Sequence, residues 1–326
     1  MPFGIEKNTL LGAGAPKEYT YTKDHVVGGY EGYILTNEVF TAITNSYAVG
    51  TAYSNGTDVG YFDHAQTING KTGMGYLPGG AVRTSGGSSE NTAVSKSYGF
   101  STDAFSALTA MTVAISAGAT SIIDDDIIVS GGRDSRTCNN FVDDCYQYSI
   151  AGDSWSTRSD FGDSRKRMMG QGFGMQVKDG VEHFNCGGMN ANCHPTYAEV
   201  NYVDRFTPST NAWDTRQALP VTSAKAFQSG MGDYIYSQGG DLAGAGRDDN
   251  TYRYSPGSNS WATRTSSAGT QQGGWCYPII NGGDTFLYTQ AGDVGGNQSD
   301  QTNYYSESAN AWTSQTTLAS PKRWDP

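Results

Sequence analysis

The sequence predicts an all-β protein that folds as one six-bladed β-propeller. Two repeated features predict this fold. An aromatic residue is followed seven positions later by Trp or Phe, and this pair recurs about every 54 residues. A Gly-Gly doublet recurs in phase with the pairs. The composition agrees, because 43 Gly and 21 Tyr with only 16% charged residues are typical of strands joined by many turns.

The aromatic pairs set the number of blades at six. The second member of each pair is expected to open the outer strand of its blade, where its ring fills the wedge between neighbouring blades. These second members are Phe40, Phe105, Trp155, Trp213, Trp261 and Trp312. Their partners seven residues earlier are Tyr33, Tyr98, Tyr148, Phe206, Tyr254 and Tyr305.

The glycine doublets are expected to follow the second strand of each blade, where the chain makes a tight exit. The clearest doublets are Gly131-Gly132, Gly187-Gly188 and Gly239-Gly240. Upstream copies are Gly28-Gly29 and Gly79-Gly80, and Ala291-Gly292 is a degenerate copy.

One repeat illustrates the expected blade. A strand over Tyr234–Ser237 ends at a doublet, a polar loop follows over Asp241–Asn250, and a third strand contains Tyr254. The turn Ser255–Asn259 then reverses the chain before Trp261. A four-stranded antiparallel sheet cannot bury both faces alone, so each blade packs on the next until the ring closes.

The doublet, the aromatic residue and the Trp seven positions later resemble kelch repeats, over residues of about 25–320. The resemblance implies a kelch-type propeller with four-stranded antiparallel blades. We expect residues 18–326 to form the ring, with the two termini meeting in one blade. Residues 1–17 are expected to be a flexible N-terminal arm.

The charge balance excludes some partners. The chain has 21 basic and 32 acidic residues, a net charge of −11, whereas a nucleic-acid-binding surface needs excess positive charge. No apolar run approaches the roughly 20 residues that cross a bilayer, and no secretory signal opens the sequence. We therefore expect a protein made in a cytoplasm that does not bind nucleic acid and does not insert into a membrane.

The five cysteines leave two alternatives open. Cys138 and Cys145 are spaced like Cys186 and Cys193, so they are either loop thiols or two loop-closing disulfides. The spacing does not fit a metal site. We expect no metal and no cofactor.

The motifs argue against an enzyme. No Gly-x-Ser-x-Gly elbow is present, and the four histidines are scattered along the sequence. Acidic residues recur before the third strand of several blades, and we expect them to have a structural role. The set comprises Asp143, Asp144, Glu199, Asp248, Asp249 and Asp300.

The loops after the doublets offer the candidate binding residues. Binding residues concentrate on loops that a rigid scaffold holds in place. The cationic side chains in these loops are Arg133, Arg136, His194 and Arg247.

The predicted function is that of a non-enzymatic structural or attachment protein of a virus particle. The chain is similar to kelch-like virion proteins of tailed bacteriophages, which implies a place on the capsid, neck or tail. Expected partners are other virion proteins or a host surface protein or glycan, with several copies in one assembly. The alternatives are an intracellular kelch interaction module and a secreted carbohydrate-active enzyme.

Overall fold

The computed structural model describes residues 23–27, 37–41, 45–53, 58–62, 67–69, 72–84, 88–123, 125–135, 140–167, 182–193, 196–242, 246–281, 284–294 and 297–319. Within these ranges the chain forms antiparallel β-sheets and one short 3-10 turn, Asp163–Arg165. The all-β propeller prediction is confirmed. The arm predicted for residues 1–17 and the predicted meeting of the termini lie outside the described residues.

Six principal sheets follow one another along the described chain, and we call them blades 1 to 6. The first ten strands form blades 1 and 2 and one smaller sheet. They are β1 (Lys23–Val27), β2 (Asn37–Thr41), β3 (Ser46–Gly50), β4 (Asp58–Phe62), β5 (Thr67–Asn69), β6 (Met74–Leu77), β7 (Ala81–Thr84), β8 (Ser89–Asn91), β9 (Ser95–Gly99) and β10 (Ala104–Leu108). The smaller sheet is β4-β7-β8. Blade 1 is the sheet β1-β2-β3, and blade 2 is β5-β6-β9-β10.

Blades 3 and 4 follow. Their strands are β11 (Ala119–Ile123), β12 (Asp126–Ser130), β13 (Cys145–Ser149), β14 (Ser154–Arg158), β15 (His183–Cys186), β16 (Met189–Cys193), β17 (Thr196–Glu199), β18 (Val203–Thr207) and β19 (Ala212–Thr215). Blade 3 is β11-β12-β13-β14, and the described part of blade 4 is β15-β18-β19.

Blades 5 and 6 complete the described chain. Their strands are β20 (Ser223–Ala224), β21 (Phe227–Met231), β22 (Tyr234–Gln238), β23 (Asp241–Leu242), β24 (Gly246–Arg247), β25 (Thr251–Ser255), β26 (Ser260–Arg264), β27 (Gln271–Gln272), β28 (Trp275–Asn281), β29 (Asp284–Gln290), β30 (Asp293–Val294), β31 (Asn297–Gln298), β32 (Thr302–Ser306) and β33 (Ala311–Ser314). Blade 5 is β21-β22-β25-β26 and blade 6 is β28-β29-β32-β33.

Smaller sheets decorate one face of the ring. In each small sheet of three strands, the first strand comes from the segment that leads into a blade. The other two strands come from the loop that follows the second strand of the same blade, as in β20-β23-β24 and β27-β30-β31. Because strands in a blade are antiparallel, the start of the inner strand and the end of the second strand lie at the same end of the blade. We call this side of the propeller the loop face.

The predicted aromatic pairs lie opposite each other in the hairpin of the third and outer strands. Tyr254, for example, is the register partner of Trp261, and their ring centroids are 5.0 Å apart. Blade 1 differs from the expectation. There Phe40 pairs with Tyr47, so Phe40 takes the place of the first aromatic residue and Tyr47 that of the second.

The two members of each pair are buried to different degrees, which corrects the prediction that Trp fills the wedge. Tyr148, Phe206, Tyr254 and Tyr305 are at most 1% exposed, whereas Trp155, Trp213, Trp261 and Trp312 are half-buried. The third-strand ring is therefore buried between blades, and the Trp covers it from outside.

A side-chain clasp joins each blade to the one before it. The residue two positions before the outer aromatic is Asn or Asp in all six blades, with φ between 43° and 50°. Asn and Asp tolerate this left-handed conformation better than other non-glycine residues. Its Oδ1 accepts a hydrogen bond from the backbone N–H that follows the preceding blade's outer strand. The donor–acceptor pairs are Thr51–Asp103, Thr109–Asp153, Ser159–Asn211, Gln217–Asn259, Thr265–Asn310 and Thr316–Asn45.

The last of these clasps closes the ring. Thr316 follows blade 6 and donates its N–H to Asn45 of blade 1 over 3.1 Å. A second contact reinforces this closure, because the Tyr47 hydroxyl lies 2.6 Å from Thr302 Oγ1. In the four blades with a Trp, the indole Nε1 also donates to the backbone carbonyl of the clasped residue, as Trp261 does to Gln217.

The glycine doublets carry a second tie between blades. Gly239 and Gly240 have φ of 64° and 104°, and the Gly240 N–H donates to the carbonyl of Gln271 in the segment leading into blade 6. A Cβ on Gly239 would lie 2.3 Å from that carbonyl oxygen. Both the positive φ and the close approach therefore require glycine.

A buried residue two positions after each clasped residue completes the contact between blades, and we call it the plug. The set, which the sequence analysis missed, is Tyr53, Met111, Phe161, Leu219, Ser267 and Leu318. Five of them donate a backbone N–H to the segment before the third strand, as Phe161 does to Asp143 and Leu219 to Asn201. Their side chains vary from aromatic to hydroxyl, which is why no repeat was visible.

One histidine is fully buried between blades 3 and 4. His183 Nδ1 and Nε2 each lie 2.7 Å from a serine Oγ, of Ser121 and Ser130 respectively. Because Ser130 donates its own proton to Asn185, it accepts from Nε2, and Nδ1 accepts from Ser121. Both ring nitrogens are thus satisfied by a neutral imidazole, and burial lowers the pKa of His183 to about 3.

Acid should destabilise the fold through His183. Its folded pKa lies below the unfolded value of about 6.5, so the contribution of this group is complete above pH 6.5. It should be lost at about 1.4 kcal/mol per pH unit as the pH falls from 6.5 towards 3. Urea unfolding at pH 7.5 and pH 5 should show a steeper loss for the native protein than for His183→Gln, which cannot be protonated. Equal losses would contradict this assignment.

Asn45 tests the ring closure. Asn45→Ala removes the hydrogen-bond acceptor and leaves an alanine at φ 44°, a left-handed conformation that alanine disfavours. The change should lower the free energy of unfolding by about 1–2 kcal/mol. Asn45→Asp keeps an oxygen acceptor, as Asp103 and Asp153 do in blades 2 and 3, and should remain close to the native value. The measurement is equilibrium urea unfolding, and native-like stability of Asn45→Ala would show that this clasp is dispensable.

Candidate functional site

The loop face holds the described candidate binding residues. Arg133 and Arg247 both lie there, in the loops after the second strands of blades 3 and 5. Arg136 and His194 fall outside the described residues. The two described arginines lie in different blades and serve different contacts.

Arg133 is part of the fold. Its side chain is 5% exposed, and its backbone bridges to both Ser116 and Phe141, forming the blade 3 counterpart of a small sheet. Its carbonyl accepts a hydrogen bond from Asn91 of blade 2 over 2.8 Å. Such a residue holds loops together rather than presenting a charge to a partner.

Arg247 is more exposed but is also engaged. Its guanidinium lies 3.2 Å from Asp293, which belongs to the loop of blade 6, and 25% of its side chain is exposed. The arginine therefore joins the small sheets of two neighbouring blades, and its charge is compensated there.

Ion pairs within and between blades take up seven of the described arginines. Arg167 is the extreme case, since it is fully buried, pairs with Asp204 at 2.7 Å and donates to the carbonyl of Gly187 at 2.8 Å. The seven are Arg165, Arg167, Arg205, Arg216, Arg247, Arg253 and Arg264. Positive charge is thus used to stabilise the scaffold.

Negative charge accumulates around blade 3. Asp143 and Asp144 precede its third strand, and Asp160 follows its outer strand. The backbone hydrogen bond from Phe161 N–H to the Asp143 carbonyl, 3.2 Å long, brings these two segments together. We call the group Asp134, Asp143, Asp144, Asp160 and Asp163 the acidic patch.

One lysine offsets part of this charge. Lys166 lies 2.6 Å from Asp163 and 3.4 Å from Asp143. Partial burial, with repulsion from Asp160 and Asp143, raises the pKa of Asp144. Partial burial and repulsion from Asp143 likewise raise the pKa of Asp160, against an opposing effect of Lys166. The fold therefore holds these carboxylates together at a cost in stability.

Carboxylates that oppose stability are candidates for function. Asp143 and Asp144 were expected from sequence to have a structural role, whereas Asp134, Asp160 and Asp163 carried no signal in the sequence. The missing signal was spatial, since Asp160 joins the patch only because the segment after the outer strand pairs with the segment before the third strand.

The cysteine alternatives are also decided. Cys145 and Cys186 are free thiols, each at most 1% exposed, so the loop-closing disulfides are not formed. Burial raises the pKa of both thiols, which makes them poor nucleophiles. Across the described ranges, no three His, Cys, Asp or Glu side chains are arranged to hold a metal ion. The same ranges contain no helix long and apolar enough to span a bilayer.

Neutralising the patch should stabilise the isolated protein. Because the folded pKa values of Asp144 and Asp160 are raised, their ionised forms are disfavoured in the fold, and this penalty is present at pH 7 and disappears as the pH falls below their ordinary values. Asp160→Asn should therefore raise the thermal unfolding midpoint at pH 7, and less so at pH 4. A lower midpoint for Asp160→Asn at pH 7 would show that the carboxylate is structural.

Three comparisons place the chain among known proteins. The family model of the kelch motif matches residues 116–162, which contain blade 3 and most of the acidic patch. None of the curated proteins compared with the chain matches its sequence.

The solved structure of the protein YjhT is similar, with a TM-score of 0.69 and 12% sequence identity, over 93% of this chain and 99% of that one. It is one of 410 matching chains, and a likeness spread over so many proteins establishes the fold alone. Together with the blade geometry, the comparisons show that the chain folds as a kelch-type β-propeller.

Proposed function

We propose that this chain is a non-enzymatic structural and interaction protein of a virus particle, and that its acidic patch docks onto a basic surface of another particle protein. The observation that supports it most is the acidic patch itself, in which five carboxylates lie close together on the loop face, and burial followed by repulsion raises the pKa of two of them, Asp144 and Asp160.

The scaffold suits docking. Six Asx clasps and the glycine ties connect neighbouring blades, so the loop face is held as one rigid surface. A rigid surface loses little conformational entropy when it binds. Kelch-type propellers commonly serve as protein interaction modules, and this geometry fits that role.

The patch favours a cationic partner. Its five carboxylates face one neutralising lysine, Lys166, within a chain whose net charge is −11. Complementary charge accelerates association and fixes the register of docking. Burial is the main cause of the raised pKa values of Asp144 and Asp160, and repulsion between carboxylates adds to it. A basic protein surface would offset that repulsion with attractive charge.

The virus particle is supported by composition and resemblance. The chain is rich in Gly and Tyr and poor in charge, and the proposal extends the resemblance of its repeats to kelch repeats to the kelch-like virion proteins of tailed phages. An intracellular kelch interaction module is the competing function. The two differ in location, because only a virion protein remains with purified particles.

Particle association provides the test. The intact chain should be enriched in purified particles over host cytosol when both are quantified by mass spectrometry. The triple variant Asp143→Asn, Asp144→Asn, Asp160→Asn should be incorporated at least ten-fold less, and native incorporation should weaken with rising salt during assembly.

A charge-matched control separates the patch from net charge. Asp125 and Asp233 lie in turns between inner and second strands, and Asp284 begins the second strand of blade 6. All three are on the side opposite the loop face, and their replacement by Asn removes three charges as well. This control should be incorporated like the native chain. Recovery of the intact chain from cytosol alone would exclude the virion role, and equal incorporation of both triple variants would exclude the acidic patch as the docking site.

A further inference from the structure

A groove of about 560 Å³ opens on the outer rim between blades 4 and 5. One wall comes from blade 4 and includes Asn201, Gln217, Leu219 and Pro220; the other comes from blade 5 and includes Asn259 and Trp261. A volume of this size fits a small ligand or a few units of a polymer. The groove is remote in sequence from the acidic patch of blade 3.

The groove lies at a repeated position of the contact between blades. Between blades 3 and 4 the plug residue is Phe161, whose ring centroid lies 5.2 Å from that of Trp213. Between blades 4 and 5 the plug is Leu219, which belongs to a buried apolar cluster, and Trp261 packs against this cluster.

The lining is uncharged, and at the position of Asn201 blade 2 also has an uncharged residue, Ala93, whereas blades 3, 5 and 6 have Asp. Asn201 is the residue whose carbonyl accepts the N–H of the plug. That position is Asp143 in blade 3, Asp249 in blade 5 and Asp300 in blade 6. In a chain of net charge −11, the field of the surrounding protein disfavours an anionic ligand, and a groove without carboxylates offers a cation no ion pair.

The indole is held in a fixed position before any ligand arrives. Trp261 Nε1 donates to the Gln217 carbonyl at 2.9 Å, and one side of the ring packs on Tyr254, with centroids 5.0 Å apart. The ring remains half-buried, so part of it is open to the groove. A fixed aromatic surface offers contact area without loss of side-chain entropy on binding.

The polar groups around the indole are amides and a hydroxyl. Asn259 Oδ1 is occupied by the Gln217 N–H at 2.8 Å and by the Tyr254 hydroxyl at 2.7 Å, and its NH2 group remains as a donor. Gln217 is exposed, and its side-chain amide supplies both a donor and an acceptor. Sugar rings present apolar C–H faces flanked by hydroxyls that donate and accept, which matches an aromatic surface bordered by amides.

We propose that the groove between blades 4 and 5 is a binding site for a neutral carbohydrate, in which a sugar ring stacks on Trp261 and its hydroxyls bond to Asn201, Gln217 and Asn259. This site is independent of the acidic patch and of the virion role, because it uses other residues on the outer rim.

The test uses the full chain and an array of neutral oligosaccharides, including cellohexaose, maltohexaose and chitohexaose, together with acidic hexamers of galacturonate. At least one neutral sugar should bind saturably and change the tryptophan fluorescence, while the galacturonate hexamer should not. Gln217→Glu, which keeps the side-chain length and adds a charge at an exposed position, should weaken binding at least ten-fold. Trp261→Phe should weaken it as well.

Ser159→Glu provides the matched control, because Ser159 occupies in blade 3 the position of Gln217 in blade 4. It should bind like the native chain, and unfolding midpoints of all variants should establish that they are folded. The proposal is overturned if no neutral sugar binds, if the acidic hexamer binds equally well, or if Gln217→Glu and Ser159→Glu have the same effect. None of these results bears on particle association.

Discussion

The structure depends on a single side-chain oxygen repeated six times. An Asn or Asp in the turn before each outer strand adopts a left-handed backbone and accepts the N–H that leaves the preceding blade. The same residue thus shapes the hairpin of its own blade and fixes the distance to its neighbour. The buried plug, the covering Trp and the glycine ties are all placed relative to this contact.

Both proposed sites are set by side chains at repeated positions of the blades. In blade 3 the segment after the outer strand carries Asp160, which brings another carboxylate beside Asp143 and Asp144. At the next boundary the corresponding positions hold Leu219 and Asn201, which carry no charge. The repeated contacts keep the backbone constant, so a change of one or two side chains alters the surface chemistry without disturbing the ring.

The sequence was sufficient for the fold because the signals were local. Two residues that face each other across this hairpin are seven positions apart in sequence. The spacing of Tyr254 and Trp261 therefore predicts two paired antiparallel strands directly. In blade 1 the same offset was matched one hairpin too early, at Tyr33 and Phe40 in place of Phe40 and Tyr47, because a Tyr stands where other blades have Trp or Phe.

The sites were less accessible from sequence because they depend on contacts between blades. Arg133 and Arg247 are cationic loop residues, but the contacts that engage them come from other parts of the chain. The backbone of Arg133 bridges to Ser116 and Phe141, and the guanidinium of Arg247 pairs with Asp293. The plug residues share a position and no chemistry, so their pattern becomes visible only through the backbone hydrogen bonds they make.

The clasp between Thr316 and Asn45 spans 271 positions of the chain. Contacts that distant form late, since the entropy of closing so long a loop must be offset by structure already in place. During synthesis, the face of blade 1 that contacts blade 6 therefore stays exposed to solvent until the last hairpin has been made. An incomplete chain would present two open flanks of compatible shape, and such chains would be prone to join one another end to end before any ring could form.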